Sequence, residues 1–145
     1  MKRAAAICLL IVVITVAGCA KQEKLDYTYK GESDDWSAEY KTATTGSWTK
    51  RNGSEHFNGN TDNTLTITYK KDITELVSKH IAVSYKTAAG GGSQSLEYLE
   101  PSPSGAFTLL RESGKNIALE TEYSVIKVTI TVDDSTQALE LKYDK

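Results

Sequence analysis

Apolar and polar residues alternate along most of the chain after residue 24. Leu25, Tyr27 and Tyr29 interleave with Asp26, Thr28 and Lys30, and Trp36, Ala38 and Tyr40 with Ser37, Glu39 and Lys41. Period two places successive side chains on opposite faces, the mark of a half-buried strand. Leu65, Ile67 and Tyr69 continue the pattern among threonines, which suit a pleated surface. Ile81, Val83 and Tyr85 follow, then a weaker Leu96 and Tyr98. Ile126, Val128, Ile130 and Val132 form the clearest run, and Leu139, Leu141 and Tyr143 close the chain. The short polar link from Asp133 to Gln137 predicts a hairpin between the last two strands. Helical signal is confined to Asp72-Ile73-Thr74-Glu75, a capping-box pattern that predicts one short turn. Pro101, Pro103, Gly105 and Gly114 mark residues 100–115 as a crossover, with a short strand over Ala106–Leu110. Seven to nine short strands with polar alternate faces predict an all-β fold, an antiparallel two-sheet sandwich of immunoglobulin-like topology. A small barrel is the alternative.

Upstream the pattern changes. Lys2 and Arg3 precede an apolar run, Ala4 to Val16, that leads into Ala17-Gly18-Cys19. A basic start, an apolar middle and a small-residue exit make an export signal with a signal helix rather than part of the fold. As a helix, Ala4–Ala17 would be about 21 Å long, short of the roughly 30 Å hydrocarbon core that a transmembrane span must cross. Val16-Ala17-Gly18-Cys19 resembles a bacterial lipobox. That resemblance implies a signal peptide at 1–18, a lipidated tether at 19–24 and a β-sandwich domain at 25–145. Cys19 would become the mature N-terminus, its sulfur carrying a diacylglycerol with fatty-acyl (palmitate) chains. Two or more chains give stable anchoring where one gives only marginal binding. An uncleaved anchor and ordinary secretion with cleavage after Ala20 are the alternatives. The expected location is the extracytoplasmic face of a cell membrane, with the lipid on Cys19 as the membrane contact.

Loss of Lys2 and Arg3 with the signal takes the formal net charge from −2 to −4. Lys50-Arg51 and Lys70-Lys71 are the only basic doublets left, which argues against nucleic acid as a partner. Both cysteines, Cys8 and Cys19, belong to the export segment, so the domain has no disulfide, thiolate metal site or cysteine nucleophile. It must rely on its core.

Candidate chemistry is sparse. The stretch from Gly46 to Asn63 is long and polar, and carries Trp48, His56 and Phe57. Solvated aromatics among amides and hydroxyls make these three the candidate ligand contacts, for a cell-wall glycan above all. The competing reading is a strand-containing connection with Trp48 tucked against the sheet edge. Asn52-Gly53 and Asn58-Gly59 are turn signals that account for much of the composition. Asn58, Asn60 and Asp62 have the alternate spacing of calcium-loop ligands, but Gly59 is misplaced and Tyr69 stands where the bidentate glutamate belongs, so no metal site is expected. Gly90-Gly91-Gly92-Ser93 lacks the Gly-Lys-Ser/Thr of a phosphate loop and reads as a flexible hairpin loop. No hydrolase motif brings His56 or His80 together with a nucleophile, so neither a catalytic residue nor a cofactor is expected.

Tyr29-Lys30-Gly31-Glu32-Ser33 with Trp36, Thr66-Ile67-Thr68-Tyr69-Lys70, Ser84-Tyr85-Lys86-Thr87 and Ser124 to Ile130 resemble small lipoproteins of Gram-positive bacteria. The resemblance covers most of the domain and implies no activity. The expected function is a lipid-anchored binding or structural module that contacts an envelope protein. A glycan-binding module using the Trp48 stretch is the alternative, and an envelope hydrolase the least favoured.

Overall fold

Every alternating segment within the described residues lies in a strand. The computed structural model describes residues 21–96, 105–115 and 117–145; the expected signal helix, Cys19 and Tyr98 lie outside them. The strands are β1 (Glu23–Glu32), β2 (Trp36–Arg51), β3 (Ser54–Tyr69), β4 (Ile81–Lys86), β5 (Gly91–Leu96), β6 (Ala106–Lys115), β7 (Ile126–Val132) and β8 (Ser135–Tyr143). A four-residue 3₁₀ turn, Ile73–Leu76, precedes β4. Its cap is Asp72, whose side chain accepts from the Thr74 amide. The Glu75 carboxylate, expected to close a capping box, accepts the Tyr69 hydroxyl at 2.9 Å. The turn stops where Val77 is extended and Ser78 takes a positive φ of 65°. Among the described residues no helix is long and apolar enough to cross a membrane.

The fold is all-β and antiparallel, but its sheets are not two. β5-β4-β7-β8-β1-β2-β3-β6 is one eight-stranded sheet, nearly closed into a barrel. β8 pairs with β7 over its length and also with β1, at Tyr29↔Tyr143 and Lys30↔Lys142. That short ladder joins what a sandwich would keep as separate layers. The two-sheet, immunoglobulin-like arrangement is therefore not the one the strand pairing displays. Alternation cannot separate the two architectures, because each buries one face of every strand. The free edges are β5 and β6.

The interior is packed from all sides by Tyr29, Trp36, Leu65, Ile67, Ile130 and Leu141, each at most 1% exposed. Trp36 lies against Tyr69 and Phe107, with ring centroids 4.9 and 6.4 Å away. β6 extends past the expected Leu110 to Lys115 because it pairs with β3 along its length, with a bulge opposite Leu65/Thr66. Gly91 and Gly92 belong to β5 rather than to a loop. A Cβ on Gly91 would meet the Tyr85 carbonyl oxygen at 2.4 Å, so the glycines let the two strands close.

The expected polar loop from Gly46 to Asn63 is the upper half of the β2–β3 hairpin. Arg51 pairs with Ser54, leaving Asn52-Gly53 as a two-residue turn with φ of 52° and 81°, the signature of type I′. Among the described residues β1 accompanies β2 as far as Glu23↔Gly46, and β6 accompanies β3 as far as Asn60↔Lys115. Residues 47–58 thus project beyond the sheet as a two-stranded arm. β1 begins at Glu23, two residues before the expected start of the domain, and it begins at the base of this arm.

Candidate ligand site at the barrel mouth

The inward positions of β2 and β3 change character along the barrel axis. Ala38 opposes Ile67 and Tyr40 opposes Leu65, then Thr42 opposes Asn63 and Thr44 opposes Thr61. Gly46 opposes Gly59, and beyond them Trp48 opposes Phe57 on the arm. The same face that is apolar in the core is therefore polar at the arm end and aromatic past the rim. At the glycine pair a Cβ on Gly59 would sit 2.6 Å from both the Phe57 ring and the Thr45 carbonyl oxygen. Phe57 folds back over the glycines and covers backbone that side chains would otherwise shield.

Burying polar side chains is costly unless they are paired. Thr44 and Thr61 solve this by bonding each other, Oγ1 to Oγ1 at 3.0 Å. Asn63 does not: it is 4% exposed, and among the described residues its Oδ1 has no partner. It lines a cavity of about 520 Å³ at the barrel mouth, together with Tyr40, Tyr85, Thr87, Glu112 and Lys115. That volume lies within the roughly 300–1,000 Å³ typical of small-molecule sites, which favour barrel mouths.

The wall of the mouth opposite β3 is a turn held by its own side chains. Thr87 Oγ1 accepts from the amides of Ala89 and Gly90 at 3.1 and 3.2 Å. Behind it Glu120, also 4% exposed, accepts from the Ala88 amide at 2.7 Å through Oε1, while its buried Oε2 has no partner. Tyr29 donates its hydroxyl to the Thr121 carbonyl at 2.7 Å, tying the same segment to the core.

These carboxylates set the electrostatics. Burial first, and then Glu120, push the Tyr29 and Tyr40 phenols far above their ordinary range, with Glu112 adding to Tyr40. Tyr85 is raised by burial and by Glu112. The phenols at the mouth therefore stay protonated and neutral. Among the described residues two buried side-chain oxygens are unpaired: Asn63 Oδ1 against this cavity, where the missing partner is a hydrogen donor, and Glu120 Oε2 behind the turn, beside a separate cavity of about 270 Å³.

The opposite end of the barrel is different. Its cavity, about 250 Å³, is lined by Trp36, Tyr69, Leu76 and Gln137 among others. Its polar groups bond one another: Ser33 to Gln137 at 2.6 Å, Gln137 and Lys71 to Asp35, and Lys79 to Asp133 at 2.7 Å. A larger depression of about 580 Å³ lies on the outer face of β1–β3 between Lys30, Glu32, Glu39 and Thr68, residues with solvated side chains. Among the described residues neither leaves a buried side-chain nitrogen or oxygen unpaired.

Of the residues singled out from sequence, Trp48 and Phe57 come together edge to face with centroids 5.1 Å apart. Trp48 is not tucked away. It remains 47% exposed, and its Nε1 donates to Glu23 Oε2 at 3.0 Å. His56 does not join them, because strand alternation turns it to the other face of the arm with Thr49 and Asn58. On that face Asn58 Nδ2 donates to Thr49 Oγ1 at 2.6 Å. Cys19 lies outside the described residues. Sequence reasoning missed Asn63 and Glu120. Thr42, Thr44 and Asn63 share the inward phase of Trp36, Tyr40 and Leu65, and extending that phase through the polar stretch would have marked them.

No protein-family model, curated protein or solved structure matches the chain.

Proposed function

We propose that this protein is a lipid-anchored binding module of the cell envelope, held by Cys19 and receiving a small hydrogen-donating ligand in the mouth of its barrel. The observation that carries the ligand site is Asn63 Oδ1, buried and unpaired against a cavity of about 520 Å³. Glu112 and the neutral phenols of Tyr40 and Tyr85 supply further acceptors, and Lys115 supplies a donor at the rim. Hydroxyl-rich and amine-bearing small molecules, such as sugars and amino sugars, fit this set.

A thermal-shift panel of soluble sugars, amino sugars, polyols and amines tests the site. A ligand that raises the melting temperature of the wild type should lose about tenfold in affinity with Asn63→Ala, since a buried hydrogen bond lost on one side costs about 1–3 kcal/mol. A panel without effect, or an effect indifferent to Asn63, contradicts the site. Attachment is tested separately: Cys19→Ala should move the protein from the membrane to the soluble fraction.

One observation favours a second reading, a cell-wall glycan module, namely the half-exposed Trp48 stacked edge-on with Phe57. Undiminished binding of Trp48→Ala to purified cell wall would exclude it.

A further inference from the structure

The arm and the tether leave the barrel at the same end. β1 starts at Glu23, level with Gly46 at the base of the arm, and the Glu23 carboxylate bonds the Trp48 indole at 3.0 Å. From Cys19 to Glu23 the backbone reaches at most about 14 Å, at about 3.4 Å per residue. From Gly46 to Arg51 the arm extends about 17 Å, at about 3.3 Å per residue. An upright barrel tied at Cys19 therefore cannot hold the arm tip clear of the bilayer.

We infer that the arm at residues 47–58 is a second membrane contact, which lays Trp48 and Phe57 into the headgroup interface of the bilayer that carries the anchor. This rests on the reading of Cys19 as the anchor. The chemistry of the arm matches that surface. Trp48 presents an apolar ring with its N–H already bonded, the arrangement that suits tryptophan to membrane interfaces. Lys50 and Arg51 precede the Asn52-Gly53 tip and, with Glu55 opposite Lys50, leave it one net positive charge for anionic headgroups. Other exposed apolar side chains share this end: Tyr123, 84% exposed, and Val125, 42% exposed, lie just before β7, at its end nearest the arm. At the far end Lys70, Lys71 and Lys79 pair with Glu32, Asp35 and Asp133, and Asp34, Glu75 and Asp134 leave that rim net negative. The arm stops at the interface. Among the described residues its outer backbone edges at 47–58 have no strand partners, and such edges do not enter hydrocarbon.

The same geometry sets this surface against the glycan reading. A Trp48 held within a few residues of the anchor faces the membrane and not the wall beyond it.

The test uses the full lipidated protein reconstituted in phosphatidylglycerol-containing vesicles, with and without brominated acyl chains. The chain has two tryptophans and Trp36 is buried, so the difference between wild type and Trp48→Phe isolates Trp48. Expected is a blue-shifted Trp48 emission that brominated chains quench, with weaker quenching when Lys50→Glu and Arg51→Glu make the tip acidic. Flotation of the same sample reads the anchor independently. A protein that floats while its Trp48 emission is identical in brominated and plain vesicles overturns the arm contact and leaves the anchor standing. A protein that does not float overturns both. Trp48 emission that ignores the bromine but changes on adding purified cell-wall glycan overturns the arm contact in favour of the glycan.

Discussion

An orphaned acceptor kept for a ligand should cost stability when the ligand is away. Asn63→Leu replaces it with an apolar side chain of similar size, in a position 4% exposed and bordered by Thr42 on β2 and Glu112 on β6. Removing a buried polar atom that has no partner returns its desolvation cost, about 1–3 kcal/mol. At roughly 4 °C per kcal/mol for a domain of this size, the melting temperature rises by about 4–12 °C. The neighbouring pair supplies a control of opposite sign. Thr44→Val breaks the 3.0 Å bond to Thr61 and strands that hydroxyl, lowering stability by about 1 kcal/mol. Thermal unfolding of the two variants beside the wild type, without ligand, is the assay. A melting temperature for Asn63→Leu at or below that of the wild type would show that Asn63 is a satisfied structural residue, and the reasoning that makes it a binding group would fall.

Core packing gives the plainest expectation: Leu65→Ala, at a fully buried position between Tyr40 and Leu110, should lose about 2–5 kcal/mol in denaturant unfolding. Gly59→Ala forces a Cβ against the Thr45 carbonyl oxygen and Phe57, and a lone two-stranded hairpin is only marginally stable, so amide exchange should accelerate over residues 47–58 while the barrel keeps its protection. Unchanged protection in the arm would refute that reading of the glycine pair. Alkaline titration should destabilise the fold. Burial and the hydrogen bond to Glu75 push the Tyr69 phenol up to about 12 from 10.0, so the protonated form is favoured by folding. Stability from this group is fully present below pH 10 and is lost as pH rises towards 12, and Tyr29 and Tyr40, also raised from 10.0, act in the same direction from pH 10 upward. Phenolate absorbance should therefore rise late and together with the loss of strand signal, and early, uncoupled ionisation of all tyrosines would contradict it.

The strands were legible because each buries one face, and residues such as Trp36, Ala38 and Tyr40 declare that face within a few positions. Their pairing was not. Whether β8 also meets β1 depends on Tyr29 finding Tyr143, more than a hundred residues away, and no local pattern encodes that choice between barrel and sandwich. The Gly46–Asn63 stretch resembled a loop because glycine, asparagine and serine have weak strand preference. Tertiary pairing overrides it: β1 and β6 flank the lower part of the hairpin, the type I′ turn fits Asn52-Gly53, and the Gly46–Gly59 contact needs residues without Cβ. Trp48 and Phe57 were visible as candidates from their chemistry, and the two-residue turn puts them on one face while sending His56 to the other. The inward position of Asn63 was readable from strand phase, but that Asn63 and Glu120 each hold an unpaired oxygen became visible only in three dimensions, since it is a property of the surroundings. Glu120 is a glutamate among others in sequence, and its burial comes from the 87–90 turn closing over it.

The most direct test of the ligand site is a chemical-shift titration of the ¹⁵N-labelled protein with the sugar-and-amine panel. Expected are perturbations at Asn63 and Glu112, and at Ala88 and Ala89 over the Glu120 carboxylate, with the outer face of β1–β3 unmoved. Perturbations confined to the Lys30–Thr68 depression or to the Trp48–Phe57 arm, or none with any member of the panel, would contradict a binding site in the mouth of the barrel.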